Sequence, residues 1–273
     1  MAIDGTVAFI GAGNMAGALI GGLIESGTLA PEALVASDPR PQALSALAER
    51  FGIVTTSDNG EAASTASVVV LSVKPQVLPA LLPELGAPVG DALVVSIAAG
   101  VRLSVIEAGL GDGAARVVRA MPNTPALVCA GATAIAAGSR ATDADLQTAE
   151  AIFRSVGIVE RVEEAALDAV TGLSGSGPAY VFLLAEAMAA AGAAVGLPPE
   201  QAARLSAQTL FGAAKLLIES GRDPAELRRQ VTSPGGTTEA GLGVLAELDF
   251  QGIVARAIAR ATERSRELSA PPT

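Results

Sequence analysis

The glycine-rich segment Gly11–Ala16, with the sequence GAGNMA, contains residue types that can hold a phosphate group. The apolar run Thr6–Ile10 precedes it and apolar residues at helical spacing follow it, which predicts a strand, a tight turn and a helix in that order. In such a unit Gly11 permits the turn and Gly13 lets the backbone approach a pyrophosphate, whose charge the helix N-terminus stabilises. The segment therefore predicts a dinucleotide site; a glycine turn that binds nothing is the alternative.

The end of the second predicted strand carries the residues that select between nicotinamide cofactors. Asp38 is an acidic residue of the kind that accepts hydrogen bonds from an adenosine ribose, which favours NADH. Ser37 and Arg40 together suit the additional phosphate of NADPH. Asp38 could also simply cap the turn before Pro39. We expect NADPH to be the cofactor, with NADH as the alternative.

Two further polar turns have the composition of a small-molecule site. Ser233–Glu239, with the sequence SPGGTTE, places two glycines before two threonines that open a predicted helix, so that N–H groups and hydroxyls can hold a carboxylate. An ordinary helix cap by Thr237 or Thr238 is the alternative. Met121–Pro125, with the sequence MPNTP, forms a rigid turn at the carboxyl end of a predicted strand, which favours a site over a stiff loop.

Composition restricts the chemistry that these turns can support. The 273 residues include no histidine and a single cysteine, Cys129, which excludes a Ser-His-Asp triad, an internal disulfide and histidine-rich metal sites. The net charge of −10 argues against nucleic acid as a partner. We expect Cys129 to pack as a small apolar group. A lone cysteine and the absence of an evident signal peptide indicate a cytoplasmic protein.

Alternating strand and helix patterns over the first 160 or so residues must position these turns. The predicted strands are Thr6–Ile10, Leu34–Ser37, Ile53–Thr55, Ser67–Ser72, Leu93–Ile97 and Arg116–Ala120, with others near Thr133–Ala136 and Gly157–Val162. Between them, the predicted helices include Pro41–Phe51, Gln76–Leu85 and Asp143–Val156. This order predicts an α/β fold with a Rossmann-type, doubly wound parallel sheet, in which ligands bind at the carboxyl ends of the strands.

From about Glu163 the strand patterns end and alanine-rich helical patterns continue. We therefore expect a dinucleotide-binding domain over residues 1–164 and an all-helical domain over residues 165–273. The expected helices are Pro178–Val195, Pro199–Glu219, Pro224–Val231, Glu239–Leu248 and Phe250–Leu268, interrupted by turns at Ser174–Gly177 and Thr232–Thr238. Ala179–Leu197 is long and apolar enough for a membrane span, but Glu186 and its many small residues favour a helix buried at an interface, so no membrane partner is expected.

Five collinear segments resemble the pyrroline-5-carboxylate reductase family. They are Val73–Pro75, Ser96–Val101, Arg119–Ala126, Gly172–Tyr180 and Leu227–Leu245. The resemblance extends over nearly the whole chain and implies NAD(P)H-dependent reduction of L-1-pyrroline-5-carboxylate to L-proline, the last step of proline biosynthesis. It also implies an all-α C-terminal domain that pairs into a homodimer, with dimers assembled further into a ring such as a decamer.

The resemblance also implies roles for individual residues. Those implied to contact the cofactor are Gly11, Ala12, Gly13, Asn14, Met15, Ser37, Arg40, Asn59, Val73, Lys74, Pro75, Ala98 and Ala99. Those implied to bind the substrate are Asn123, Ser233, Gly236, Thr237 and Thr238, with Asn123 approaching the nicotinamide. A protonated imine mainly needs alignment with the hydride donor, which fits a chain without histidine. We hypothesise that Thr238 hydrogen-bonds the imine nitrogen as the catalytic residue.

Two other functions are compatible with the first glycine turn. A reductase of the hydroxyacid or 6-phosphogluconate type combines a sheet domain with a helical one, but usually relies on a lysine in the helical domain. The only lysine there, Lys215, lies inside a helix pattern without a glycine-rich partner. A non-catalytic dinucleotide sensor would leave the turns Ser233–Thr238 and Met121–Pro125 without a purpose. Reduction of pyrroline-5-carboxylate is therefore the preferred hypothesis.

Overall fold

The computed structural model describes residues 3–111 and 115–269. The chain forms two compact units. The first comprises the residues through Ser176 together with those from Arg260 onward, and the second is Gly177–Ala259. The turn Gly11–Ala16 lies in the first unit and the turn Ser233–Glu239 in the second.

The first unit contains an eight-stranded sheet with the order β3-β2-β1-β4-β5-β6-β7-β8. The strands are β1 Val7–Ile10, β2 Leu34–Ser37, β3 Val54–Thr56, β4 Val68–Leu71, β5 Leu93–Ser96, β6 Arg116–Met121, β7 Gly131–Ala137 and β8 Gly157–Arg161. Every predicted strand is present, and β1 pairs in parallel with β2 on one side and β4 on the other. The strand order reverses at β1, so the carboxyl ends of β1 and β4 flank the crevice where doubly wound sheets bind ligands. The predicted fold class is confirmed.

Two strands, β7 and β8, depart from a purely parallel sheet. β7 runs antiparallel to β6, and β8 then runs parallel to β7. The connection from β6 to β7 contains only a short 3₁₀ turn, Thr124–Val128, whereas a parallel crossover needs a dozen or more residues. The short, proline-rich connection therefore reverses the chain direction.

Helices cover both faces of the sheet. In the first unit they are α1 Asn14–Glu25, α2 Pro41–Phe51, α3 Asn59–Ser64, α4 Leu78–Val89, α5 Leu103–Gly109, α6 Asp143–Arg154 and α7 Leu167–Val170. Along β1, side chains alternate between the faces: Phe9 packs with residues of α1, α2 and α6, whereas Ile10 packs with residues of α3, α4 and α5. Aliphatic side chains dominate both cores, as the low aromatic content requires.

Three helical features differ from the sequence predictions. The short helices α3 and α5 were not predicted, because six or seven residues give little periodicity. α4 begins later than predicted and continues through Pro83 and Pro88, since five buried apolar side chains outweigh the prolines. The predicted turn at Ser174–Gly177 has a different form: Thr171–Gly175 is a π-helical turn, with Ser176 N donating to Thr171 O, and a bend at Ser176 precedes α8.

The second unit is entirely helical in its described residues. Its helices are α8 Gly177–Ala194, α9 Pro199–Ser220, α10 Pro224–Gln230, α11 Thr237–Glu247 and the first half of α12 Phe250–Ser269. Large apolar side chains are exposed here, including Leu183 at 65% and Ile218 at 79%, and α8 contains no buried residue. The helical stretch Glu164–Ala194 would satisfy a membrane span by length and composition alone, which is weak evidence. Apolar surface of this extent is typical of a protein interface.

Candidate active site

The turn after β1 is held by the ends of both neighbouring strands. Gly11 has a φ of +105°, and a Cβ there would lie 2.8 Å from the carbonyl oxygen of Ser72. Gly11 N donates to Ser37 O at 2.7 Å, while the Ser72 hydroxyl donates to the carbonyl of Gly11 at 2.7 Å. Only glycine satisfies this backbone conformation and this contact without strain.

The start of α1 is open for a ligand. Gly13 is the N-cap residue, no side chain caps the helix, and a Cβ on Gly13 would meet nothing within 4 Å. The first-turn N–H groups of α1 therefore have no side-chain acceptor among the described residues. Together with the positive end of the helix dipole, they form a site for an anion such as a pyrophosphate.

Asp38 is buried beside this turn and makes four hydrogen bonds. Its Oδ2 accepts from Ala12 N at 2.9 Å and from Arg40 Nη2 at 2.8 Å. Its Oδ1 accepts from Arg40 N at 2.9 Å and from Arg40 Nε at 2.8 Å. The hydrogen bonds from Arg40 are the main cause that lowers the pKa of Asp38 to about 2, so the carboxylate is ionised at neutral pH. The predicted turn-capping bond of Asp38 is present, and it is one bond of a larger set.

The other residues predicted to bind the cofactor from β2, β4 and β5 follow the same edge of the sheet. Ser37 is fully buried and its hydroxyl donates to Asn59 Oδ1 at 2.7 Å. Lys74 follows β4 and precedes a 3₁₀ turn, and Ala98 follows β5 and is buried. Because β2, β1, β4 and β5 are consecutive and parallel, the sheet brings all these positions to one edge.

Asn123, in the connection from β6 to β7, is tied to its surroundings through both ends of its carboxamide. Its Nδ2 donates to Ser174 O at 3.1 Å, and its Oδ1 accepts from Ala132 N at 2.9 Å. One N–H and one lone pair remain for a ligand. Cys129, at the end of the same connection, is exposed, so the expectation that it packs as a small apolar group is wrong. It forms the left-handed C-cap of the 3₁₀ turn, with a φ of +54°, at the surface of the protein.

In the second unit, the turn Ser233–Glu239 is shaped by its own backbone and one carboxylate. Gly236 N donates to Ser233 O at 3.0 Å, Gly235 has a φ of +69°, and Glu239 Oε2 accepts from Gly235 N at 2.7 Å. α11 begins at Thr237 with no side-chain cap, so the alternative of a threonine cap is wrong. The Glu239 carboxylate bonds the N–H of Gly235, which precedes the helix, and not a first-turn N–H of α11. Among the described residues, none hydrogen-bonds the hydroxyls of Ser233, Thr237 or Thr238, which leaves them available to a ligand.

Comparison with known proteins identifies the family. The model for the pyrroline-5-carboxylate reductase dimerisation domain matches residues 164–268, and that for coenzyme F420-dependent NADP oxidoreductases matches residues 6–100. The curated pyrroline-5-carboxylate reductase of Synechocystis sp. is 45% identical over 95% of this chain and 96% of its own length. The chain belongs to the pyrroline-5-carboxylate reductase family.

Solved structures of pyrroline-5-carboxylate reductases have the same fold as this chain. The pyrroline-5-carboxylate reductase from Coxiella burnetii is 40% identical and superposes with a TM-score of 0.93, covering 98% of this chain and all of its own. The Plasmodium falciparum pyrroline carboxylate reductase, solved with NADP bound, is 28% identical with a TM-score of 0.87, covering 99% and 100%. These relationships favour the reductase hypothesis over a hydroxyacid-type enzyme or a non-catalytic sensor.

Three features of this reductase were not found from its sequence. The four bonds of Asp38, the Ser72 hydroxyl on the glycine turn and the Glu239 bond on the second turn all depend on which backbone groups lie nearby. A serine directly after the apolar run of β4 is the only sequence signal for the Ser72 contact. In the part of the chain that the structure describes, there is no group of three or more Cys, Asp or Glu residues that could hold a metal ion.

Proposed function

We propose that this reductase transfers a hydride from NADPH to the C=N carbon of L-1-pyrroline-5-carboxylate, forming L-proline in the last step of proline biosynthesis. Membership of the family supports the reaction. The open N-terminus of α1 after a sterically required glycine turn is the observation that supports the dinucleotide site. Arg40, with 65% of its side chain exposed beside that turn, supports NADPH over NADH.

In this proposal the two domains expected from the sequence have different roles. Residues 1–164 bind the dinucleotide, which supplies the hydride when bound. The N–H groups of α1 hold the pyrophosphate, and the positions at the ends of β2, β4 and β5 line the rest of the cofactor. In residues 165–273, the turn Ser233–Thr238 holds the substrate carboxylate through N–H groups and hydroxyls, and the Thr238 hydroxyl contacts the ring nitrogen. Alignment of the two reactants then supplies most of the acceleration.

The direct test follows the absorbance of NADPH in the presence of pyrroline-5-carboxylate, then repeats the assay with NADH and with hydroxyacids. We expect rapid oxidation of NADPH with the imine only. Oxidation with a hydroxyacid substrate instead would favour the hydroxyacid-type alternative, and no oxidation with any substrate would favour a sensor. A comparison of kcat/KM for NADPH and NADH with the imine decides the cofactor.

Replacing Arg40 with alanine is expected to raise the KM for NADPH on the order of tenfold, because a charge-assisted bond to the 2′-phosphate is lost. The KM for NADH should change little, since NADH lacks that phosphate. Arg154→Ala is the control: it removes one arginine charge from α6, where Arg154 pairs with Glu150 and not with Asp38. An unchanged KM for NADPH in Arg40→Ala would contradict the assignment.

We further propose that the helices of residues 165–273 form a homodimer, with dimers assembled into a ring such as a decamer, and that the protein is cytoplasmic. The dimerisation-domain match over residues 164–268 and the exposed apolar side chains of α8 and α9 support the dimer. The single cysteine, Cys129, suits a reducing compartment.

A charge on the apolar surface of α8 is expected to break this assembly. Leu183→Glu places a carboxylate where an interface would desolvate it, so we expect light scattering at micromolar concentration to change from a dimer or larger species to a monomer. Glu84→Gln, at an exposed polar position of α4 in the first unit, is the control and should keep the wild-type mass. A monomeric wild-type protein would refute the proposed dimer.

A further inference from the structure

Two consecutive residues, Ser37 at the end of β2 and Asp38 just after it, accept hydrogen bonds from the glycine turn. Gly11 N donates to the carbonyl of Ser37, and Ala12 N donates to the carboxylate of Asp38. Arg40 reaches back over the same carboxylate with Nε and Nη2, which is the bidentate geometry of an arginine–carboxylate pair. Asp38 is only 4% exposed, while its partner side chain is mostly exposed.

The hydrogen-bonding capacity of Asp38 is already used within this chain. An ionised carboxylate has about four acceptor positions, and Asp38 receives four hydrogen bonds, all from Ala12 and Arg40. Its buried oxygens therefore have no free acceptor position for the ribose hydroxyls of a bound adenosine. An acidic residue at this position of the fold would favour NADH, but here its carboxylate binds Ala12 and Arg40 instead.

The same pairing fixes Arg40. A guanidinium group has five N–H donors in one plane, and the Asp38 carboxylate occupies two of them. The remaining three lie on the outer edge of the group, held in a defined plane next to the turn that would bind the pyrophosphate. A fork of this kind binds a phosphate oxygen with little further loss of side-chain freedom.

We infer that Asp38 is a specificity-determining positioning residue, which directs the outer edge of Arg40 toward the 2′-phosphate of NADPH while it holds the Ala12 N–H of the pyrophosphate turn. This inference rests on the proposed use of NADPH. It assigns two separable effects to one carboxylate: the bond to Ala12 supports both cofactors, and the pair with Arg40 supports NADPH alone.

The test compares NADPH with NADH in the single variants Asp38→Asn and Arg40→Ala and in the double variant. In Asp38→Asn we expect kcat/KM for NADPH to fall about tenfold more than that for NADH, with the selective loss in KM rather than in kcat. In the Arg40→Ala background, Asp38→Asn should cause no further selective loss, because Asp38 acts through Arg40. Calorimetry with adenosine 2′,5′-bisphosphate and adenosine 5′-monophosphate should show the same selective weakening without any turnover.

Arg40→Lys tests the inference without altering Asp38. Lysine keeps the charge but has no planar fork, so it cannot pair with the carboxylate and present an aligned edge to a phosphate together. We expect most of the preference for NADPH to be lost. Retained preference in Arg40→Lys, or equal losses for both cofactors in Asp38→Asn, would overturn the inference. A wild-type enzyme that oxidises NADPH poorly with pyrroline-5-carboxylate would instead overturn the proposed function, whatever the variants do.

Discussion

Gly13→Ala is expected to leave the free protein as stable as the wild type and to weaken binding of NADPH on the order of 100-fold. Gly13 has φ and ψ of −85° and −178°, which alanine adopts readily, and a Cβ there meets nothing within 4 Å. The methyl group therefore costs nothing until a pyrophosphate must approach the backbone at this position. Thermal unfolding and NADPH binding by fluorescence, measured on the same sample, separate the two effects.

Gly11→Ala is the matched contrast in the same turn. At Gly11 the strain arises without any ligand, because the φ is +105° and a Cβ would lie 2.8 Å from Ser72 O. Alanine should therefore destabilise the free protein by about 3 kcal/mol. If Gly13→Ala instead unfolded at a lower temperature while Gly11→Ala did not, the steric roles assigned to the two glycines would be reversed. Tight NADPH binding by Gly13→Ala would show that the cofactor does not approach this backbone.

Thr238→Val is expected to lower kcat for pyrroline-5-carboxylate by about 100-fold, near the lower limit for a group that assists proton transfer. Valine keeps the branched shape of threonine, and the hydroxyl makes no hydrogen bond to a described residue, so the turn should keep its form. What is lost is the proposed contact with the imine nitrogen. Steady-state kinetics at saturating NADPH would measure the effect.

Two controls sharpen this result. Thr238→Ser retains a hydroxyl and should keep most of the activity. Thr237→Val removes the neighbouring hydroxyl, which is assigned to the substrate carboxylate, so its effect should fall on KM for the imine rather than on kcat. Wild-type turnover in Thr238→Val would remove Thr238 from the mechanism and leave the proton to solvent.

The parts of the fold that were predicted well have strong local signals. α2 spans Pro41–Phe51 as predicted, because Pro41 suits the first position of a helix and Gly52, with a φ of +70°, ends it. The strands were found because four of them, β1, β2, β4 and β5, are buried over their whole length and read as continuous apolar runs.

The parts that were missed depend on the tertiary structure. α4 passes through Pro83 and Pro88 because its buried leucines pack on the sheet, which no local preference indicates. The π-helical turn at Thr171–Gly175 looks like a loop in the sequence because glycine and serine dominate it.

The candidate site shows the same division between what local sequence indicates and what packing decides. In the sequence, Asp38 favours NADH, whereas Ser37 and Arg40 favour NADPH. The sequence does not show whether Asp38 binds a ribose or caps its own turn. The bond from Ala12 N to Asp38 Oδ2, which shows that Asp38 does more than cap its own turn, joins residues 26 positions apart in the chain. Contacts of this separation follow from the pairing of β1 with β2 and become visible only in the folded sheet.

The bare apolar surface of α8 and α9 has a thermodynamic consequence. A chain that covers this surface only by association gains part of its folding free energy from mass action, so its apparent stability rises with its own concentration. Dilution would then weaken the fold and, with it, the turn Ser233–Glu239 that is proposed to hold the substrate. For such a protein, its concentration in the cell contributes to the apparent free energy of folding.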